Sequence, residues 1–197
     1  MTCIVGLFDK ENDCVYMGGD SMATCGSNRG EIVSQKKVFK SNDTPTAIMG
    51  FSGNVRDLNL LTYAEDLIDK RDEPNIDHKY LVTKFIPNVI KMFANGYRNT
   101  SDKGISEFDS YFLFAYKNSL YLIESNYSVL SVKTKYQAIG CGVDFALGSL
   151  YSTESTELGT IERIHKALQA ASKFSTGVDA PFYIINTKDD NVIEFKE

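Results

Sequence analysis

The order of apolar periodicities along this 197-residue chain constrains its fold more than any single motif. Strand-like segments come first, then two segments with helical spacing, more strands, two further helical segments and a closing pair of strands. Such runs predict packed α+β layers instead of the βαβ alternation of a parallel sheet. Two sheets sandwiched between two helical layers would bury every apolar face, so we predict a four-layer α-β-β-α sandwich.

The periodicities also give the predicted elements their boundaries. Strands are predicted at 2–8, 14–19, 36–40, 46–51, 109–117, 119–124, 128–133, 136–139, 181–187 and 191–195. Helices are predicted at 55–68, 78–95, 143–152 and 158–174. Pro87 should kink the second helix or mark an early turn, because proline cannot donate a backbone hydrogen bond. Since no proline- or glycine-rich linker divides the chain, we predict one domain over residues 1–197.

Charge and composition argue against several classes of function. The 21 Lys and Arg residues and 26 Asp and Glu residues are scattered, without the basic stripe expected of a nucleic-acid-binding surface. The amino terminus lacks the pattern of a signal peptide, and no apolar run approaches the roughly 18 residues of a membrane span. We therefore expect a cytoplasmic protein that binds neither nucleic acid nor membrane.

The cysteines and histidines do not have the spacing of a metal site. The four cysteines are Cys3, Cys14, Cys25 and Cys141. They form no CxxC pair, and the two histidines, His78 and His165, are far apart in the sequence. Cys3 and Cys14 fall in adjacent predicted strands, so a disulfide and a pair of reduced core thiols both stay open, with the thiols favoured. Neither a metal nor an organic cofactor is expected.

A glycine-rich segment at 138–146 raises a dinucleotide-binding hypothesis. Gly140, Gly142 and Ala146 satisfy G-x-G-x-x-[GA] between a predicted strand and a predicted helix. The segment comes late, however, and leaves too little chain for a nucleotide-binding half. Close packing where a strand turns into a helix explains the glycines better.

A threonine, Thr2, follows Met1 at the start of the first predicted strand. A threonine hydroxyl needs a base to become a nucleophile, and an α-amino group, whose pKa is normally about 7.7 to 8.0, can serve. Removal of Met1, which the small residue at position 2 permits, would give Thr2 both groups. Lys37 could favour the neutral amine and stabilise negative charge, with Asp20 holding the lysine in place. Taken singly, each residue is better explained by an ordinary structural role: Thr2 starts a strand, Asp20 caps a turn and Lys37 is solvated.

The segment 50–54 joins a predicted strand to a predicted helix. Backbone N–H groups at a helix start suit an oxyanion hole, so this segment is a candidate for one. An ordinary strand-to-helix turn is the alternative. The segment is not a G-x-S-x-G nucleophile elbow, because Gly53 follows Ser52 at once.

Taken together, these motifs resemble the proteasome β-subunit and HslV family of N-terminal nucleophile hydrolases. The matching segments are 2–5, 19–24, 36–38, 50–53 with Asp57, and 138–142, in the same order and over essentially the whole chain. The resemblance implies that Thr2 is the nucleophile and that its own amine is the base. It also implies an Asp20–Lys37 pair and an oxyanion-hole glycine at Gly53.

The same resemblance implies how a substrate binds. The backbone of Thr24 would pair with an extended peptide. The pocket for the side chain preceding the scissile bond would be lined by Ala23, Gln35, Phe51 and Val55. A small residue at 23 and the apolar wall of Phe51 favour apolar side chains in that pocket.

The chain departs from the family pattern at two positions. Cys141 stands where the family usually has a serine, and a thiol is a poorer hydrogen-bond partner for the Thr2 amine. Ser172 stands where proteasome subunits carry an aspartate. While Met1 remains attached, moreover, the nitrogen of Thr2 is an amide and the site is silent.

The resemblance implies a threonine endopeptidase that cleaves polypeptides inside a homo-oligomeric ring, with an ATP-dependent unfoldase controlling entry. The intact Thr2, Asp20, Lys37 and Gly53 favour that function. A catalytically silent scaffold or binding subunit is the first alternative, favoured by the two departures. An amidase that uses the same nucleophile on small amides is the second.

Overall fold

Two five-stranded antiparallel sheets face each other at the centre of the fold, seen in a computed structural model that describes residues 1–24, 31–33, 35–95 and 110–197. The first sheet contains β1 (Cys3–Asp9), β2 (Cys14–Gly19), β10 (Tyr136–Gly140), β11 (Phe182–Asn186) and β12 (Ile193–Phe195), in the order β10-β1-β2-β11-β12. The second contains β5 (Val38–Lys40), β6 (Ala47–Ser52), β7 (Tyr111–Tyr116), β8 (Ser119–Ile123) and β9 (Val129–Ser131), in chain order. A two-stranded hairpin pairs β3 (Met22–Ala23) with β4 (Glu31–Ile32).

Helices cover the outer face of each sheet. The second sheet is covered by α1 (Val55–Thr62), a 3-10 helix (Lys70–Asn75), α2 (His78–Tyr80), a π-helical turn (Leu81–Phe85) and α3 (Ile86–Asn95). The first sheet is covered by α4 (Val143–Ser152) and α5 (Thr160–Phe174). The result is the α+β, four-layer α-β-β-α sandwich expected from the sequence.

Successive side chains of a strand point to opposite faces of its sheet, and here one face packs against helices and the other against the opposite sheet. In β1, Cys3, Val5 and Leu7 pack under α4 and α5, whereas Ile4 points toward the second sheet. Among the described residues, the layer between the sheets contains five buried apolar side chains from each sheet: Ile4, Val15, Met17, Ile139 and Ile185 from the first, and Val38, Ile48, Leu113, Ala115 and Leu120 from the second. This layer fixes the relative position of the strand ends that carry the polar residues described below.

The predicted helix at 55–68 ends six residues early, because side chains capture its end. The Asn42 side chain donates to the carbonyls of Thr62 and Ala64, at 3.1 and 2.9 Å. The Asp43 carboxylate accepts the next amides, from Asp66 and Ile68, both at 2.8 Å. Leu67 and Ile68 are still buried, but they lie in a bend outside the helix.

The disturbance predicted at Pro87 takes the form of a π-helical turn directly before it. The amide of Ile86 donates to the carbonyl of Leu81, five residues back, so the helix widens where Pro87 cannot donate. The chain then continues into α3 instead of leaving the helix. Several strands are shorter than predicted, and residue 109 lies outside the described residues.

The glycine-rich segment at 138–146 does not have the setting of a dinucleotide site. Strand β10 pairs antiparallel with β1, so no βαβ unit exists here. A Cβ atom added to Gly142 would lie 2.7 Å from the Cβ of Ala171 and 2.9 Å from that of Cys3. The glycine therefore allows α5 and β1 to approach closely, which is the packing explanation given by the sequence.

Cys3 and Cys14 are free thiols, not a disulfide. Cys14 lies opposite Asp9 at one end of β1, and Cys3 lies at the other end, about 20 Å away at roughly 3.4 Å per residue. Burial raises the pKa of Cys14 to about 11 and raises that of Cys3 further. Cys25 lies outside the described residues.

Two kinds of feature are absent from the described ranges. Among those residues, no helix is both long and apolar enough to cross a bilayer. Nor do three or more His, Cys, Asp or Glu side chains of that part of the chain gather as metal ligands would.

Phe85 gives a test of the packing between the helices and the second sheet. Its fully buried ring lies 5.0 Å from that of Phe114 and 6.4 Å from that of Phe112, between centroids. Phe85→Ala should lower the free energy of unfolding in urea by about 3 to 5 kcal/mol, because it leaves a cavity. Val82→Ala, in the same π-helical turn but 46% exposed, should change it by no more than about 0.5 kcal/mol. Equal losses in the two variants would contradict this packing.

Candidate active site

Three strand ends bring Thr2, Asp20 and Lys37 together at one edge of the two sheets. Thr2 immediately precedes β1, and Asp20 immediately follows β2, which pairs antiparallel with β1 so that Ile4 lies opposite Gly19. Lys37 immediately precedes β5 of the second sheet. The cluster therefore spans the junction between the sheets, and all three side chains are buried.

The Lys37 ammonium is the centre of this cluster. Its Nζ lies 2.9 Å from each carboxylate oxygen of Asp20, 3.1 Å from Thr2 Oγ1 and 2.6 Å from the carbonyl of Met22. Lys37 is 6% exposed and Asp20 is 0% exposed. A fixed positive charge therefore lies within hydrogen-bond distance of the threonine hydroxyl, in an environment that screens it weakly.

Asp20 holds the backbone as well as the lysine. Its carboxylate accepts the amides of Cys3 at 2.9 Å and Met22 at 3.0 Å. Burial raises the pKa of Asp20, and the Lys37 ammonium and the two backbone donors oppose that rise. One carboxylate thus ties the start of β1, the start of β3 and the lysine into a single unit.

Met1 is attached to Thr2 in this structure, so the nitrogen of Thr2 is an amide. That nitrogen donates to Cys141 Sγ at 3.3 Å, and Thr2 Oγ1 donates to the Met1 carbonyl at 2.5 Å. The Met1 amino group donates to Thr24 Oγ1 at 3.0 Å. The nitrogen and the hydroxyl of Thr2 therefore both have defined partners, and the partner of the hydroxyl is the carbonyl of the preceding residue.

Cys141 is also in contact with Ser175. Cys141 Sγ lies 3.2 Å from Ser175 Oγ, and the thiol is exposed. Ser175 directly follows α5, while Ser172 lies half-buried in the last turns of that helix. The nitrogen of Thr2 is thus connected through a thiol to a hydroxyl.

A cavity of about 290 Å³ opens beside Thr2. Its lining contains eight of the residues predicted for the site: Thr2, Ala23, Thr24, Gln35, Lys37, Phe51, Gly53 and Val55. Met1, Met22, Val33 and Leu58 complete it, and sequence reasoning missed the last three. The helical spacing from Val55 to Leu58 on α1 could have indicated Leu58. Met22 and Val33 reach the cavity through the β3–β4 hairpin, which the periodicities did not predict.

Gly53 lies between β6 and α1, where a side chain would not fit. Its φ is +153°, and an added Cβ would lie 2.1 Å from Ser110 Oγ. Asn54 caps α1, and its side chain accepts the amide of Arg56 at 2.8 Å. The turn at the edge of the cavity is therefore tightly held.

Comparison with known proteins identifies the family. A family model described as "Proteasome subunit" matches residues 2–185 of the chain. The chain belongs to the proteasome subunit family. The resemblance found in the sequence is therefore correct, and the fold is that of this family. A search of curated proteins finds no match.

Solved structures share the fold of this family at low sequence identity. BPH of Thiobacillus denitrificans, in complex with epoxomicin, has a TM-score of 0.71 at 13% identity, over 94% of this chain and 97% of that one. HslV of Trypanosoma brucei has a TM-score of 0.70 at 19% identity, over 94% and 98%. A Gly-1 mutant of Anbu from Hyphomicrobium sp. strain MC1 has a TM-score of 0.70 at 10% identity, over 100% and 87%. At these identities the likeness extends to the fold alone.

The buried pair of Asp20 and Lys37 gives a prediction about stability. Asp20→Asn should lower the free energy of unfolding by about 3 to 5 kcal/mol, since it leaves the lysine charge buried without its carboxylate. The matched control is Asp190→Asn, which breaks the ion pair with Lys40, at 3.0 Å, but at an aspartate that is 86% exposed. That change should cost less than about 1 kcal/mol in the same urea titration. Similar costs for the two variants would mean that the Asp20–Lys37 pair does not hold the site together.

Proposed function

We propose that this chain is a threonine endopeptidase whose nucleophile becomes active once the Met1–Thr2 bond is cleaved. The observation that carries the proposal is the position of Lys37 Nζ, 3.1 Å from Thr2 Oγ1 and paired with Asp20, beside a cavity of about 290 Å³. Membership of the proteasome subunit family supports it.

In the proposed reaction, Thr2 supplies both nucleophile and base. The free amine takes the proton of Oγ1 as that oxygen attacks the scissile carbonyl carbon, and an acyl ester forms when the C–N bond breaks. The amine passes the proton to the departing nitrogen. Water then attacks the ester carbonyl and gives a proton to the amine, and Oγ1 recovers that proton as it leaves the acyl group. Lys37, held by Asp20, stabilises the developing negative charge, and the Gly53 N–H supports the oxyanion.

Cys141 is proposed to orient the amine. Its sulfur lies 3.3 Å from the nitrogen of Thr2 and 3.2 Å from Ser175 Oγ, which supports a chain of contacts that steadies this nitrogen. The serine expected here from the family would make a stronger hydrogen bond than a thiol.

The proposed substrate is an extended polypeptide that pairs with the backbone of Thr24. Ala23, Gln35, Phe51 and Val55 would form the pocket for the side chain that precedes the scissile bond. Phe51, which is 2% exposed, and the neighbouring Leu58 make that lining largely apolar, which supports a preference for apolar side chains.

Thr2 can be tested by intact mass after incubation with an electrophilic peptide. The expected result is loss of Met1 and one covalent adduct, mapped to Thr2, together with hydrolysis of reporter peptides. Thr2→Ala should abolish both adduct and turnover while the chain still folds, whereas Thr2→Ser should keep part of the turnover because it keeps a hydroxyl. A wild-type chain that has lost Met1 yet forms no adduct would refute the proposal.

Assembly into a homo-oligomeric ring, gated by an ATP-dependent unfoldase, is proposed from the family alone. Light scattering at micromolar concentration should give a mass that is a multiple of the 22.0 kDa chain. A monomer at that concentration would argue against the ring.

A catalytically silent subunit is the second candidate. The thiol of Cys141, 3.3 Å from the nitrogen of Thr2 where the family usually has a serine, is the observation that favours it, together with Ser172 in place of the family's aspartate. Retention of Met1 in the purified protein, without an adduct, would place this candidate first. If Thr2 is free, a panel of peptides and small amides will distinguish an endopeptidase from an amidase.

A further inference from the structure

Ser110 lies fully buried where β6 ends and α1 begins, a position that sequence reasoning did not single out. Its Oγ accepts the amide of Asn54 at 3.2 Å and donates to the Asp57 carboxylate at 3.2 Å. Ser110 and Asp57 are both 0% exposed. Two hydrogen bonds in series therefore run from a backbone amide, through a hydroxyl, to a carboxylate.

This arrangement is an expanded form of a helix capping box. In the usual box, a carboxylate at the third position of a helix accepts the amide of the N-cap residue directly. Here Asn54 is the N-cap and Asp57 is the third residue of α1, but Ser110, which directly precedes β7, lies between them. The start of α1 is thereby fixed to the second sheet as well as to itself.

Ser110 also determines the space around Gly53. A Cβ atom at Gly53 would lie 2.1 Å from Ser110 Oγ, 2.5 Å from its Cβ and 2.6 Å from its Cα. The serine therefore packs directly against the Gly53 Cα and holds the following peptide by its N–H. Because Gly53 lines the cavity with Thr2, a change at Ser110 would be transmitted to the turn that faces the substrate.

We infer that Ser110 and Asp57 are positioning residues that aim the Gly53 N–H at the oxyanion, an inference that rests on the proposed function. Neither side chain contacts the substrate. The two hydrogen bonds from the Asn54 amide through Ser110 Oγ to the Asp57 carboxylate, here called the relay, fix the Gly53–Asn54 peptide plane. This plane limits the rotation of the preceding peptide, which carries the Gly53 N–H. The Asp57 carboxylate at the start of α1 also faces the positive end of the helix dipole, which stabilises the relay.

The test compares Ser110→Ala with Ser41→Ala. Ser41 is a matched control, since it is a buried serine flanking the same sheet and its Oγ accepts one backbone amide, that of Asp43, at the same distance of 3.2 Å. In Ser110→Ala, kcat should fall about 10- to 100-fold, less than the 10²- to 10³-fold expected when an oxyanion donor is removed altogether. In Ser41→Ala, kcat should stay within about twofold of wild type.

Two inhibitors distinguish a loss of orientation of the Gly53 N–H from a general loss of structure in the binding site. A peptide aldehyde forms a tetrahedral adduct whose oxygen occupies the oxyanion position, whereas the matched peptide alcohol cannot. Ser110→Ala should weaken the aldehyde by about the same factor as kcat and leave the affinity for the alcohol unchanged. Equal weakening of both inhibitors, or no change in either, would overturn the inference.

The exchange rate of the Asn54 amide keeps the relay testable if the proposed function fails. A wild-type chain with free Thr2 that neither turns over substrate nor binds the aldehyde would refute the function, not the relay. The Asn54 amide should then exchange slowly with solvent in the wild-type chain, and at least about tenfold faster in Ser110→Ala. Fast exchange in the wild-type chain, which needs no variant to fold, would overturn the relay itself.

Discussion

The buried ion pair between Asp20 and Lys37 is the interaction on which the rest of the site depends. Isolated charges are costly to bury, and the cost is offset only when each finds several partners. The carboxylate accepts two backbone amides in addition to the lysine, and the ammonium reaches three oxygens beyond the carboxylate: Thr2 Oγ1 and the carbonyls of Met1 and Met22. Because those partners belong to both sheets and to the β3–β4 hairpin, the pair can form only when all three have docked.

The apolar layer between the two sheets determines how the sheets pack and in which register β1 lies. Ten buried apolar side chains of the described residues, five from each sheet, pack between the two sheets. A shift of one residue in β1 would turn Ile4 out of that layer and would move Thr2 to the opposite face. The same alternation that builds the core therefore decides which way the threonine hydroxyl points.

The layered fold could be predicted from the sequence because it follows from local periodicity, whereas several details could not. The early end of α1 depends on Asn42 and Asp43, which reach it from a different part of the chain. The β3–β4 hairpin pairs two residues with two, too few to produce a periodic signal. The family resemblance indicated most of the residues that line the cavity, and their chemical roles stay predictions. Ser110 carried no signal, since a lone serine beside a strand has many ordinary explanations.

The pairing of β1 with β10 has a consequence for the order of events during synthesis. Strand β1, which Thr2 immediately precedes, pairs early with β2, but Cys3 lies opposite Gly140, so the second neighbour of β1 is available only after some 140 residues have been made. Contacts this distant in sequence form late, because the intervening chain must first lose its freedom. A nascent chain therefore carries its threonine first but cannot assemble the surroundings of that threonine until most of the protein has emerged. An unfinished chain on the ribosome therefore carries Thr2 without Cys141, the partner of its nitrogen in the complete fold.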